Sequence, residues 1–278
     1  MGRRKGERGS LILIGGNEAK TGERAILSAV SRKSLPGPAV ICTAASDEPD
    51  QVWSVYEKVF RELGLREISH LRLTRRQHAE DAAAAAKVTR AKLVFLSGGD
   101  QVNITSRIGG TVVFDALRHV YESGGVIAGT SAGASALGQT MPVSHPGHEH
   151  NVSASFYLVQ GLGLFPNVII DQHFGQRGRM VRLIGAVAEN SRLLGIGIDE
   201  DTAVVLCPAG EFEVLGAGAV YVVDGKSVTY NNVQTGNADR PVSVFDLRVH
   251  VLSSGDRFDV ASRRPVESDS CPPESVTP

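Results

Sequence analysis

Five short runs in the first two thirds of the chain are apolar with almost no polar alternation: Leu11–Ile14, Ala39–Cys42, Leu93–Leu96, Val126–Ala128 and Val168–Ile170. A strand with one wet face alternates apolar and polar residues, whereas a strand covered on both faces does not. Between these runs lie helix-like stretches, Lys20 to Arg32, Gln51 to Leu63, Ala79 to Ala91 and Val113 to Tyr121. One of them holds the near-continuous alanine run Ala82 to Ala86, the residue with the highest helix propensity. Strand–helix–strand alternation requires right-handed crossovers and predicts an α/β fold, a doubly wound, mostly parallel sheet with helices on both faces. Ligands in such sheets bind beyond the carboxyl ends of the strands, so the search for chemistry starts there.

From about Gly195 the texture changes. Thr202–Leu206, Glu211–Leu215, Val220–Val223 and Ser227–Tyr230 are short runs punctuated by Gly, Asp and Asn, which predicts antiparallel hairpin strands packed on the end of the sheet. The partly alternating run Val242 to Leu252 suits an edge strand. The organisation expected is a basic tail over 1–9, one catalytic α/β domain over 10–260, and a polar, Pro-containing, disordered tail over 261–278. A hydrophobic fraction of 42% in 278 residues is enough for one sizeable core.

The formal net charge of -1 provides no global field to recruit nucleic acid or an anionic membrane. Arg3, Arg4, Lys5 and Arg8 precede only a short apolar run, too short for a signal-peptide core or a membrane span. Three widely spaced cysteines, Cys42, Cys207 and Cys271, suggest neither a disulfide framework nor a zinc ribbon. Cys42 and Cys207 lie in apolar runs and are expected to be buried as small hydrophobes, and the chain is expected in a reducing cytoplasm.

The strongest chemical signal is Gly129-Thr130-Ser131-Ala132-Gly133, directly after the run Gly125-Val126-Ile127-Ala128. It fits the G-x-S-x-G nucleophile elbow, where a strand turns sharply into a helix and only small neighbours avoid a clash. Serine needs a base nearby to act as a nucleophile. His173 follows the run Val168–Ile170 at a strand end, in the polar setting of Asp171, Gln172, Arg177, Arg179 and Arg182. Another strand end, Gly197-Ile198-Asp199-Glu200-Asp201, carries three carboxylates, any one of which could orient the imidazole. Spacing does not choose among them. Ser97-Gly98-Gly99-Asp100-Gln101 reads either as an oxyanion loop, with N–H groups aimed into the site, or as a plain tight turn. Gly15-Gly16-Asn17 lacks both the G-x-G-x-x-G spacing and the Walker lysine, which argues against nucleotide binding. His145, His148, Glu149 and His150 crowd a Gly- and Pro-containing stretch without the H-E-x-x-H spacing, so a loop over the site is expected in preference to a metal centre. No metal and no other cofactor is expected.

Four motifs in order resemble the cyanophycinase family: Gly129 to Ala136, Asp171-Gln172-His173-Phe174 with Gln176 to Arg179, Gly197 to Ala203, and Arg248 to Leu252 followed by Gly255 to Asp259. The similarity runs from about Leu11 to Val260, while Gly15 to Lys20 and Met141 to Gln160 depart from the family pattern. The resemblance implies a fold like that of class I glutamine amidotransferases and a serine-type peptidase that cuts arginine-substituted polyaspartate to β-aspartyl-arginine dipeptides. It also implies a homodimer. It resolves the carboxylates in favour of Glu200, with Ser131 as nucleophile and His173 as base. By the same resemblance Gly99 and Ala132 donate to the oxyanion, and Gln101, Asp171, Gln172, Arg177, Arg179 and Arg182 line the substrate pocket. The arginines suit carboxylates and Asp171 suits a guanidinium. Arg179 and Arg182, three apart, also fit one face of a helix. The competing readings are an aspartyl or isoaspartyl dipeptidase and a non-catalytic binding protein on the same scaffold.

Overall fold

Four of the five runs apolar on both faces, all but Val168–Ile170, become inner strands of a nine-stranded sheet. In the computed structural model, which describes residues 8–144, 156–233 and 242–266, the chain begins with β1 (Ser10–Ile14), α1 (Ala25–Ser34), β2 (Ala39–Cys42), α2 (Pro49–Glu62) and β3 (Ile68–Leu71). A 3-10 turn at Arg76–Ala79 leads into α3 (Ala82–Thr89), β4 (Leu93–Leu96), α4 (Gln101–Ile108), α5 (Val112–Glu122), β5 (Val126–Thr130) and α6 (Ala132–Leu137). There follow β6 (Gly138–Ser144), β7 (Phe156–Gln160), β8 (Phe165–Gln172), α7 (Met180–Glu189) and β9 (Leu194–Ile198). The remaining strands are β10 (Thr202–Leu206), β11 (Glu211–Gly216), β12 (Val220–Asp224), β13 (Tyr230–Asn231), β14 (Val244–Phe245), β15 (Arg248–Leu252), β16 (Arg257–Asp259) and β17 (Arg264–Val266).

The first sheet runs β17-β16-β11-β10-β1-β5-β4-β2-β3. Its five strands from β1 to β3 are parallel, and β10, β11, β16 and β17 add antiparallel. Alternate residues of one strand serve different cores, because successive side chains point to opposite faces. Leu11, Leu13, Val40, Val94, Leu96 and Ile127 pack with α3 to α6, whereas Ile12, Ile14, Ile41, Phe95 and Ala128 pack with α1 and α2. Both sets are apolar because both faces are covered.

A second sheet, β15-β12-β9-β8-β6-β7, was not anticipated as a separate unit. In it β6, β8 and β9 are parallel. One face, through Val168, Ile170, Ile196 and Ile198, joins the core shared with α3 to α6. The other face, through Ile169 and Val223, is covered by Leu183, Ala186 and Val187 of α7. The fold class is therefore the expected α/β one, and the run around Val168 belongs to a second layer.

Several boundaries shift. The helix expected from Lys20 starts at Ala25, and that expected from Ala79 starts at Ala82, where Asp81 caps it by accepting from Ala83 N. The run Val242 to Leu252 is not one strand: it divides into β14 and the edge strand β15, with Asp246 at positive φ between them. The expected tail boundary at 261 also moves, since β17 still pairs with β16 and keeps the chain in the sheet to Val266. Cys42 is buried and its thiol is pushed up to about 12 by desolvation, but Cys207 is only partly buried. Cys271 and the cluster His145, His148, Glu149 and His150 lie outside the described residues.

Candidate active site

The tips of β1 and β5 from the first sheet meet those of β8 and β9 from the second. Backbone hydrogen bonds stitch the ends together: Ser131 N donates to Ile14 O (2.9 Å), His173 N to Gly15 O (2.8 Å) and Asp201 N to Gly16 O (2.9 Å). The short loop after β1 is thus the seam between the sheets. It was the segment that sequence reasoning dismissed as a failed phosphate loop.

Ser131 stands between β5 and α6 with φ 52° and ψ −115°. A non-glycine residue in that region stores about 1–3 kcal/mol of strain, and persists only where surrounding structure over-determines it. Here Ile14 O takes its N–H, and Ala134 N and Ser135 N both donate to its carbonyl. The turn aims Oγ at His173, with Oγ to Nε2 at 2.9 Å. Nδ1 of His173 lies 2.5 Å from Oε1 of Glu200, and Oε2 of Glu200 accepts from Asn17 Nδ2 at 2.9 Å. The neighbouring carboxylates are used elsewhere. Asp199 is buried and accepts from Gly175 N and Ala219 N, while Asp201 accepts from Ala19 N. Of the three acids left open by spacing, Glu200 is the one beside the imidazole.

The imidazole has a fitted bed. Gly16 has φ +101°, and a Cβ there would come within 2.5 Å of the His173 ring nitrogen Nε2. Burial holds the His173 pKa below its ordinary value; the Glu200 hydrogen bond opposes that shift and the Arg177 guanidinium adds to it. The ring is therefore neutral at pH 7, as a proton acceptor must be. Glu200 is held below the usual carboxylate range, first by its hydrogen bond to His173 and then by that from Asn17.

Opposite the serine, Gly98 and Gly99 follow β4. Gly98 lies against Ser131, its would-be Cβ 3.4 Å from the serine Cβ, and Gly99 has φ +137°. Asp100 caps α4 by accepting from Val102 N, so the segment is a helix entry with Gly98 against the nucleophile. Among the described residues the N–H groups of Gly98, Gly99 and Ala132 have no hydrogen-bond acceptor. Ala132 is the first residue of α6, where a backbone N–H has no partner within the helix.

The remaining expected pocket residues divide. Gln172 is adjacent, its Oε1 accepting from Ser131 Oγ at 3.4 Å. Arg177 is exposed, close enough to act electrostatically on both His173 and Glu200, and forms no ion pair among the described residues. Asp171 is already partnered within the protein. It is 1% exposed, and its carboxylate accepts from Arg179 Nη1 (3.0 Å), Arg182 Nε (2.9 Å), Arg182 Nη2 and Gln172 N, which leaves it no surface for a guanidinium from outside. Arg179 and Arg182 both direct their guanidinium groups onto Asp171. Burial lowers the Arg179 pKa to about 10, which leaves it cationic at pH 7. Gln101 donates to Pro142 O and joins α4 to β6.

Sequence reasoning also missed a buried acid, Glu18. Its Oε1 accepts from the Tyr56 hydroxyl (2.5 Å) and its Oε2 from Thr130 Oγ1 (2.6 Å), so it ties the residue before Ser131 to α2. The rule that sites lie at carboxyl ends would have flagged it, since it follows β1 by four residues. A cleft of about 480 Å³ opens beside Ser131 and is lined also by Gly98, Thr130, Tyr56, Lys20 and Asn17. Among the described residues no group of three His, Cys, Asp or Glu side chains converges as a metal site, and no helix is long and apolar enough to cross a membrane.

This arrangement can be set beside known proteins. A family profile, Peptidase family S51, matches residues 11–211. Cyanophycinase of Synechococcus elongatus is 36% identical over 271 residues, covering 96% of this chain and 84% of the relative. That of Geminocystis herdmanii is 34% identical over 262 residues, covering 93% and 96%. Among solved structures, a peptidase from an acI-B1 Actinobacterium superposes with a TM-score of 0.65 at 23% identity, covering 92% of this chain and 98% of that one. A putative peptidase E protein from Listeria monocytogenes EGD-e gives 0.54 at 14% identity, covering 76% and 100%. These two likenesses establish a shared fold. With the profile spanning most of the chain and relatives of this identity along nearly all of it, the chain belongs to peptidase family S51 and is a serine-type hydrolase.

Proposed function

We propose that this enzyme hydrolyses cyanophycin, arginine-substituted polyaspartate, to β-aspartyl-arginine dipeptides through an acyl-enzyme on Ser131. The observation that carries the mechanism is the continuous relay Ser131 Oγ–His173 Nε2–Glu200 Oε1, at 2.9 and 2.5 Å. The substrate class rests on the cyanophycinases that match nearly the whole chain.

In this reading His173 takes the Ser131 proton as Oγ attacks the scissile carbonyl. Glu200 accepts from Nδ1–H and stabilises the imidazolium that forms. The oxyanion is received by the N–H groups of Gly99 and Ala132. Collapse expels the amine, which collects the proton from Nε2. A water then attacks the acyl carbon, giving its proton to His173, and a second collapse frees the serine. Gln172 and Arg177 are the pocket residues retained for substrate contact, Arg177 as a fork for a carboxylate. A cytoplasmic homodimer is part of the same reading. The exposed Val249 and Val251 on the edge strand β15 are compatible with a partner.

Ser131→Ala should leave the fold intact and lower kcat by about 10⁴-fold or more. Release of β-aspartyl-arginine from purified cyanophycin checks this. Unchanged release by the variant would remove Ser131 from the mechanism, and no release by the wild-type protein would remove the substrate.

A further inference from the structure

The cleft beside Ser131 presents a charge to its occupant. Among the described residues that line it, Lys20 is the one with an ionised side chain. Its ammonium lies 3.4 Å from Glu18 Oε1, donates to Glu18 O at 3.1 Å and stands over the Tyr56 ring, 5.3 Å from the centroid. The two members of this ion pair differ in access. The Glu18 side chain is 0% exposed and its two oxygens already accept from Tyr56 and Thr130, whereas the Lys20 side chain is 34% exposed. An entering ligand therefore meets the cation and not the anion. The buried carboxylate fixes where the flexible ammonium stands, so less is lost on ordering it against a ligand.

We infer that Lys20 is a specificity-determining residue, the counter-ion for a substrate carboxylate on the Gly98 side of Ser131. Arg177, beside His173 and Glu200, serves the opposite side. This rests on the functional reading above and deepens it. In an aspartyl-arginine polymer the group that recurs beside each scissile bond is the arginyl carboxylate, and Lys20 is assigned to it.

The test compares two synthetic β-aspartyl-arginine oligopeptides, one with free arginyl carboxylates and one with those carboxylates amidated, on the wild-type protein, Lys20→Met and Lys20→Arg. The expected result is a rise in KM of about tenfold for Lys20→Met on the free acid, with a much smaller fall in kcat. The amide should show little difference between the two proteins, and Lys20→Arg should keep the preference for acid. A merely structural role would weaken both peptides alike, so an unchanged acid-to-amide ratio in a folded Lys20→Met overturns the assignment while leaving the hydrolase reading standing. If Lys20→Met does not fold, the wild-type ratio decides, because equal kcat/KM for acid and amide also overturns it. No turnover of either peptide by the wild-type protein overturns the functional reading and this assignment together.

Discussion

Two buried carboxylates flank the relay, and they are held in different ways. Asp171, behind the imidazole, is bound by two guanidinium groups whose side chains are themselves only 12% and 13% exposed. Glu18, behind the nucleophile, is bound by two hydroxyls and one ammonium that reaches the cleft. The first cluster is closed: one carboxylate is shared by two guanidinium groups inside the protein, which locks the start of α7 to the end of β8. The second is open at one end. A buried acid can thus serve as scaffold in both places, and only the exposure of its partner decides whether the cluster also faces substrate.

That contrast can be broken by experiment. Asp171→Ala removes the carboxylate that the largely buried Arg179 and Arg182 share, so it should cost about 3–5 kcal/mol of stability, read by urea unfolding. Glu18→Gln keeps shape but puts an amide NH₂ where one of the accepting oxygens stood. The cost should be smaller, about 1–3 kcal/mol on the same measurement. Equal losses, or a larger loss at Glu18, would end the distinction between a closed charged cluster and an open one dominated by hydroxyls.

The smallest effect sharpens the comparison on the imidazole side. Beyond burial, Arg179, held on Asp171, lowers the His173 pKa, and the exposed Arg177 lowers it more. In Arg177→Gln that lowering is lost and the His173 pKa rises. A higher pH is then needed to keep the base neutral, so the acid limb of the kcat/KM profile should move upward. A limb that stays in place would detach Arg177 from the base.

How much of this was legible beforehand varied by residue. The strand before Ser131 and the small residues around it announced the elbow, and His173 and Glu200 each stood at a strand end. All three are brought within hydrogen-bond distance. Asp171, Arg179 and Arg182 carried the same kind of polar signal and ended as each other's partners, because an ion pair and a ligand contact call for the same residue types. Glu18 signalled only its place after β1: burial of an acid depends on Tyr56 and Thr130, which are 38 and 112 residues away along the chain.

The covered strands, the strand–helix alternation and the chemistry of the elbow followed from local rules, since side-chain period, helix propensity and turn sterics act over a few residues. The presence of a second sheet, the choice of Glu200 over its two neighbours, and the division of the cations between scaffold and cleft did not. Those depend on which distant groups arrive within about 3 Å of one another, where hydrogen bonds and desolvation act, and only the folded chain sets such distances.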